Sequence, residues 1–185
     1  MRKPIAAAMT GMSLVALAAG CATPGAGIES SIPENLRAPA AEVLSLETAA
    51  TGVQIYECRA GKDEPARFQW TFKAPEADLF DRAGNKIGRH YAGPTWESND
   101  GSKVVAEVKA RDDAPQAGAI PWLLLSAKST AGSGVLGRTS SIQRVHTVGG
   151  AAPAEACGEA EAGKVARVAY AATYYFFVGK PYGDE

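Results

Sequence analysis

Apolar and polar residues alternate along most of the chain, and this period of two is typical of β-strands with one buried face. Residues 67–73 place Phe68, Trp70 and Phe72 on one side of such a strand and polar residues on the other. Because aromatic side chains favour burial, we expect this side to face the core. The same pattern predicts further strands at residues 53–56, 104–109 and 165–178.

Turn signals rich in Gly, Asn and Asp separate these segments. They stand at residues 81–85, 99–101, 149–150 and 162–163. Short strands at this spacing predict an all-β domain, either a single antiparallel β-sandwich or a flattened barrel, with at most one or two short helices. The pattern does not decide the secondary structure of residues 121–125, because Pro121 could stand at the first position of a short helix.

The N-terminus has the pattern of an export signal. Arg2 and Lys3 precede an apolar, Ala-rich run that is too short for a permanent membrane span. The sequence Leu-Ala-Ala-Gly-Cys at residues 17–21 resembles a bacterial lipobox, which implies cleavage before Cys21 and acylation of Cys21. More than one acyl chain makes such anchoring stable. The alternative is ordinary cleavage near this point, which would leave a periplasmic protein without lipid.

We therefore expect a cleaved signal peptide, a tether with a docking segment, a β domain and a short C-terminal tail. Pro and Gly without sustained periodicity mark the tether. By resemblance to enterobacterial sorting, Ala22 after the modified cysteine favours the outer membrane, with the domain facing the periplasm. The expected bounds are residues 1–20, 22–51, 52–180 and 181–185.

Two cysteines remain once Cys21 is acylated. In an exported chain, Cys58 and Cys157 are candidates for one disulfide that joins the beginning and the end of the domain. Two thiols without neighbouring His residues or paired Cys spacing do not make a tetrahedral zinc site. We therefore predict a disulfide, and we expect no metal and no other cofactor.

The charges of the chain are balanced and interspersed. The 19 Lys and Arg residues stand against 20 Asp and Glu residues, and the sequence pI is about 6.2. Binding to a phosphate backbone generally needs a clustered basic face, so a nucleic-acid partner is disfavoured. The expected partners are the membrane, through the lipid anchor, and a ligand or protein of the envelope.

Residues 132–137 match the Gly-x-Gly-x-x-Gly dinucleotide fingerprint letter for letter. That motif binds pyrophosphate only where a strand precedes it and a helix follows it. The residues that follow here, 138–145, are polar and β-branched and form a poor helix. We therefore expect a flexible hairpin loop and no nucleotide.

Residues 90–102 bring an imidazole, an indole and two carboxylates into one turn-rich stretch. His90 with Glu97 and Asp100 could perform acid–base chemistry, and Arg144 and His146 could point into the same pocket from one strand face. An inward arginine would need a carboxylate such as Glu97 or Asp100. The competing interpretation is structural, with His90 capping a strand, residues 99–101 forming a hairpin turn and Trp96 filling the core.

The chain resembles an uncharacterised family called domain of unknown function 3455, which occurs in bacterial envelope and fungal secreted proteins. The resemblance covers about residues 32–178 and implies no established activity, substrate or catalytic residue. Members of this family usually have Asn where this chain has His146. The matching pieces are residues 52–58, 74–79, 93–97, 120–125, 143–150 and 174–176.

Three hypotheses about function follow. The first is a lipid-anchored β domain of the envelope that binds a ligand or partner without catalysing a reaction. The second is an envelope hydrolase or metal-assisted enzyme that uses His90, Glu97 and Asp100. The third is a carbohydrate-binding module, which would need an exposed aromatic platform. Its candidate residues are Trp70, Trp122, Tyr174 and Tyr175.

Overall fold

The structure is a computed structural model that describes residues 32–181 of the chain. Eight antiparallel strands pair in chain order, and the last pairs with the first, so that the sheet closes into a barrel. The predicted all-β fold is confirmed in its barrel form. The strands are β1 (Glu42–Ala60), β2 (Phe68–Phe80), β3 (Lys86–Tyr91), β4 (Thr95–Ser98), β5 (Lys103–Asp112), β6 (Trp122–Ala131), β7 (Ser141–Gly149) and β8 (Val165–Gly179), with 3-10 turns at Glu34–Leu36 and Glu159–Glu161.

Several predictions concern residues outside the described range. The signal peptide at residues 1–20 and the acylation of Cys21 belong to this group, as do residues 182–185 of the expected tail. The part of the chain that the structure describes contains no helix with the length and apolar character needed to cross a bilayer. These predictions therefore stay predictions.

The long strand β1 closes the barrel, because it pairs with β2 on one side and with β8 on the other. At Gly52 the backbones of β1 and β2 lie so close together that a Cβ would overlap the carbonyl oxygen of Glu76 and the Cα of Ala77. Glycine is therefore required at this position for the close approach.

The first strand begins before residue 52, where the sequence analysis expects the β domain to start. Strand β1 begins at Glu42, within the predicted tether of residues 22–51, because residues 42–51 pair with β8. A strand whose partner lies more than a hundred residues away has no local signal in the sequence. The possible helix at residues 121–125 is also not formed, since β6 begins at Trp122.

The segment before β1 packs on the outside of the barrel. Ile32 and Leu36 belong to an outer apolar cluster with Trp122, Val145 and Tyr175. The Nε2 amide of Gln143 also donates a hydrogen bond of 2.7 Å to the Leu36 carbonyl. Residues 32–41 thus dock against the barrel wall.

The barrel interior contains a continuous apolar core. Trp96 and Phe176 are among its largest side chains and are almost completely buried. Leu136 enters this core from the loop between β6 and β7. The other buried members are Ala50, Ala77, Leu79, Val104, Ala106, Ile120, Leu123, Leu125, Ile142, Tyr170, Ala172 and Tyr174.

The predicted disulfide is present. Cys58, near the end of β1, is bonded to Cys157 in the segment between β7 and β8, and the two Cα atoms are 5.6 Å apart. Backbone hydrogen bonds join the same regions, because the Cys58 N–H donates to the Lys164 carbonyl and the Gly163 N–H donates to the Cys58 carbonyl. The bond therefore fixes the β7–β8 connection to the end of β1.

Burial departs from the hydrophobic pattern in two strands. In β1 the side chains of Gln54 and Tyr56 are buried, whereas Val53 is only half-buried. Tyr56 can be buried because its hydroxyl donates a hydrogen bond of 2.6 Å to the Gly150 carbonyl. In β2 Phe68 and Trp70 are half-buried, but the predicted aromatic inner face fails at Phe72, which is 51% exposed.

A bulge in β7 overturns the prediction that Arg144 and His146 share a face. The register with β8 shifts between Val145 and Val148, and His146 has a positive φ of 51°. This reverses the alternation, so that Arg144 faces inward and His146 is exposed. Asn tolerates the left-handed conformation better than most residues. This is a physical reason why the family that the chain resembles usually has Asn at the position of His146.

Candidate functional site

A cavity of about 350 Å³ opens at the end of the barrel where β3 ends and β4 begins. We call it the mouth cavity. Its polar wall is made by side chains from β3, β7 and β8, and its rim is largely apolar. The residues that line it are Phe72, Lys73, Ala74, Pro75, His90, Ala92, Gly93, Pro94, Trp96, Val108, Leu123, Leu125, Arg144 and Tyr174.

The Arg144 guanidinium is the cation of the inner wall. Its Nε and Nη2 atoms donate to the Pro121 carbonyl at 3.1 Å and 2.8 Å. Among residues 32–181, no carboxylate oxygen lies within 4.0 Å of Arg144. The expectation that Glu97 or Asp100 pairs with it is wrong, because both side chains lie elsewhere. A half-buried charge is thus held by a backbone carbonyl with the Tyr174 hydroxyl beside it, and by no carboxylate among the described residues.

His90 lies beside this cation and is 2% exposed. Its Nδ1 atom is 2.9 Å from the Thr95 carbonyl, which can only accept, so Nδ1 carries the proton and Nε2 carries the lone pair. The ring stacks on Trp96 with 4.2 Å between centroids. Burial lowers the pKa of His90 to about 3. The imidazole is therefore neutral at physiological pH.

Several polar atoms are buried behind this wall. They include the Trp96 Nε1, the Tyr174 and Tyr170 hydroxyls and the Gln54 amide nitrogen. The Tyr174 hydroxyl interacts with the side chains of Arg144 and Tyr170, and the Tyr170 hydroxyl interacts with Gln54. Burial raises the pKa of both tyrosine hydroxyls, so these groups keep their protons. The mouth cavity thus has one cation in its wall and a cluster of polar side chains buried behind it.

Glu97 lies on the outside of the barrel. Its neighbour Trp96 points inward, so Glu97 points outward by strand alternation. Its carboxylate accepts a 2.6 Å hydrogen bond from the Tyr91 hydroxyl and two of 3.2 Å from Arg89. The hydrogen bond from Tyr91 and the neighbouring Arg89 lower the pKa of Glu97. The wall of the barrel separates this carboxylate from His90.

Asp100 lies in the turn between β4 and β5, where it organises the glycine-rich loop of residues 132–137. Its carboxylate accepts from the Ser102 hydroxyl at 2.6 Å and from the Val135 N–H at 2.8 Å. These hydrogen bonds, the one from Ser102 first, lower its pKa to about 2. The N–H of Leu136 donates to the Ser102 hydroxyl at 3.0 Å. The loop is thus tied to the β4–β5 turn, and internal groups occupy N–H positions that a pyrophosphate would need.

The proposed acid–base group of His90, Glu97 and Asp100 is therefore not assembled. His90 lies inside the barrel, Glu97 outside it, and Asp100 in the β4–β5 turn. His146 is also outside, where its ring meets the edges of Trp122 at 5.3 Å and Tyr175 at 6.4 Å. Within the described range, no group of three or more His, Cys, Asp or Glu residues could hold a metal ion.

The tryptophans do not form an exposed platform for sugars. Trp96 is 1% exposed and Trp122 is 7% exposed. Trp70 is half-buried and donates from Nε1 to the Glu155 carbonyl at 3.0 Å. Tyr174 and Tyr175 are buried as well. This arrangement counts against the carbohydrate-binding hypothesis.

Of the candidate residues, the structure brings His90, Trp96 and Arg144 together at the mouth cavity. The sequence does not indicate that Tyr174 and Phe72 belong to this site, with Phe72 at its rim. The two deeper polar groups, Gln54 and Tyr170, were also missed. The sequence contains one indication of the polar side chains near this site, because the polar residue Gln54 stands between the apolar residues Val53 and Ile55.

The fold and the cavity define a class of protein, namely a closed antiparallel barrel with a small internal cavity at one end. The comparison with protein families identifies the family, because a model described as "Protein of unknown function (DUF3455)" matches residues 39–178. The chain belongs to this family, as the resemblance predicted. No curated protein and no solved structure matches the chain.

Proposed function

We propose that this protein is a lipid-anchored protein of the cell envelope whose barrel binds a small molecule in the mouth cavity. The observation that carries the binding proposal is the Arg144 guanidinium, which faces an apolar-rimmed cavity with no carboxylate partner among residues 32–181. Ligand sites are typically apolar concavities with a few convergent polar groups. A catalytic role is not proposed, because His90, Glu97 and Asp100 do not converge.

The anchoring proposal rests on the N-terminal sequence, whose lipobox resemblance ends at Cys21. We expect Cys21→Ala to abolish incorporation of a radiolabelled fatty acid and to lower the membrane-associated fraction, because the acylated thiol is removed. Thr23→Ser is the matched control and should be labelled like the wild type. Unchanged labelling of Cys21→Ala would show that the anchor is not at this residue.

The binding proposal can be tested at the rim of the cavity. Val108 lines the mouth cavity and is 53% exposed, so a larger side chain there should obstruct the opening without disturbing the core. We expect the neutral apolar probe N-phenyl-1-naphthylamine to fluoresce on binding the wild type. Val108→Trp should weaken its affinity by at least tenfold, about 1.4 kcal/mol.

The control for this experiment is Val135→Trp. Val135 is 52% exposed in the loop between β6 and β7, so its exposure matches that of Val108, but it does not line the mouth cavity. Its substitution should leave probe affinity unchanged. The proposal fails if the wild type does not bind the probe, or if the two tryptophan variants bind it equally well.

A further inference from the structure

We infer that the mouth cavity selects a carboxylate monoanion with a compact apolar body, and that Arg144 is the residue that recognises the carboxylate. This inference rests on the proposed function, because it specifies the ligand of the same cavity. It is carried by the orientation of the guanidinium, the charge of the wall and the chemistry of the rim.

The guanidinium is oriented for a ligand. The Pro121 carbonyl accepts hydrogen bonds from Nε and Nη2 along one edge of the planar Arg144 guanidinium, which we call the fork. An arginine has five N–H donors, so the other edge, formed by Nη1 and the second Nη2 proton, keeps a parallel pair of donors. The two oxygens of a carboxylate match such a pair bidentately. The backbone contact thus fixes the fork before a ligand arrives, which reduces the ordering cost of binding.

Arg144 is the donor that carries the recognition. A carboxylate has about four lone-pair sites, of which the arginine edge uses two. Tyr174 and Trp96 also line the cavity, but the Tyr174 hydroxyl and the Trp96 Nε1 are buried behind its surface.

The charge of the wall favours a monoanion over a dianion. Arg144 supplies one positive charge, while the adjacent His90 is neutral and its Nδ1–H already donates to Thr95. Lys73 also lines the cavity, but its ammonium bonds the Glu57 carboxylate at 3.0 Å. A second negative charge on a ligand would therefore stay uncompensated in a partly buried site, which is costly.

The rest of the ligand must be compact and apolar. Phe72, Pro75, Pro94 and Val108 form much of the rim, and two of them are strongly exposed large hydrophobics. A cavity of about 350 Å³ corresponds to roughly a dozen water molecules at liquid volume. This excludes a long lipid chain and fits an aromatic or short branched acid.

A larger groove on the outer surface does not offer the same chemistry. This groove of about 660 Å³ beside β1, β2 and β3 contains Lys86, Arg89 and Arg167. Each of these cations is within 3.2 Å of a carboxylate oxygen, from Asp78, Glu97 and Glu76 respectively. Ion pairs already neutralise those cations, whereas Arg144 has no carboxylate partner among residues 32–181.

Isothermal titration calorimetry on the purified protein tests the inference with three matched probes. Benzoate is the carboxylate, benzyl alcohol its neutral counterpart, and phenyl phosphate the dianion. We expect benzoate to bind at least tenfold more tightly than either of the others. Arg144→Gln should weaken benzoate binding by at least tenfold and leave benzyl alcohol binding unchanged, because only benzoate carries the negative charge that the guanidinium bonds.

The matched control is Arg138→Gln, which removes one charge from an exposed residue in the β6–β7 connection. It should bind benzoate like the wild type. Benzyl alcohol binding by Arg144→Gln shows that the variant keeps its cavity. Equal affinity for benzoate and benzyl alcohol, or undiminished benzoate binding by Arg144→Gln, overturns the carboxylate inference. The proposed function then stands if N-phenyl-1-naphthylamine still binds, and it fails if that probe does not bind either.

Discussion

Removing the Cys58–Cys157 disulfide is expected to lower the free energy of unfolding by about 3 to 5 kcal/mol. The bond closes a loop of 99 residues, which contains β2 to β7. In the chain-entropy model, a loop of about this size stabilises the native state by about 4.7 kcal/mol, because the cross-link restricts the unfolded chain. The total stability of a domain is only about 5–15 kcal/mol, so this loss would be large.

Urea unfolding of the wild type and of the double variant Cys58→Ala/Cys157→Ala measures this effect. Reductant should lower the midpoint of the wild type to near that of the variant, and should leave the variant unchanged. The backbone hydrogen bonds of Cys58 with Gly163 and Lys164 do not depend on the sulfur atoms, so we expect the reduced protein to keep its fold. If complete reduction leaves the urea midpoint of the wild type unchanged, the prediction is contradicted.

Acidification from pH 7 to pH 4 is expected to destabilise the protein by about 3 kcal/mol through His90 alone. The pKa of His90 is lowered from 6.5 to about 3 by burial, so the unfolded chain takes up a proton below about pH 6.5 while the folded chain does not. Because the unfolded state then binds more protons, stability is full above this pH and falls as the pH drops towards 3.

The variant His90→Asn isolates this contribution. Its side-chain amide can replace the Nδ1–H that donates to Thr95, but it does not titrate. Urea unfolding at several pH values should show a smaller loss between pH 7 and pH 4 for the variant than for the wild type. Parallel stability curves for the two proteins would mean that His90 does not take up a proton differently on unfolding.

Much of the fold can be predicted from the sequence, because alternation and turn chemistry are local. The turn at residues 99–101 and the strand at residues 165–178 were found in this way. The start of β1 was missed, since its pairing with β8 is a contact between the two ends of the domain. Barrel closure is likewise a property of all eight registers together, and no single segment signals it.

The candidate site was only partly predictable. His90, Trp96 and Arg144 were chosen for their chemistry, and the structure brings them to one cavity. Glu97 was placed with them because it is adjacent in sequence, although neighbours on a strand point to opposite faces. His146 was misplaced because a bulge carries no hydrophobic signal. Tyr174 is a candidate for a sugar-binding surface in the sequence, although aromatic residues in strands are more often core, and its burial beside Arg144 becomes visible only in the structure.

Closure of the sheet restricts how another protein can recognise this domain. Each of the eight described strands is hydrogen-bonded to a neighbour on both sides, but some only over part of their length: β2 pairs with β3 only at residues 77–80, and β6 pairs with β7 only at residues 123–126. Strand addition, in which an extended peptide pairs with an exposed edge, is therefore confined to such stretches and is closed to a partner along the paired part of the wall. A protein that binds this wall must recognise side chains, and its specificity will depend on surface substitutions rather than on backbone geometry.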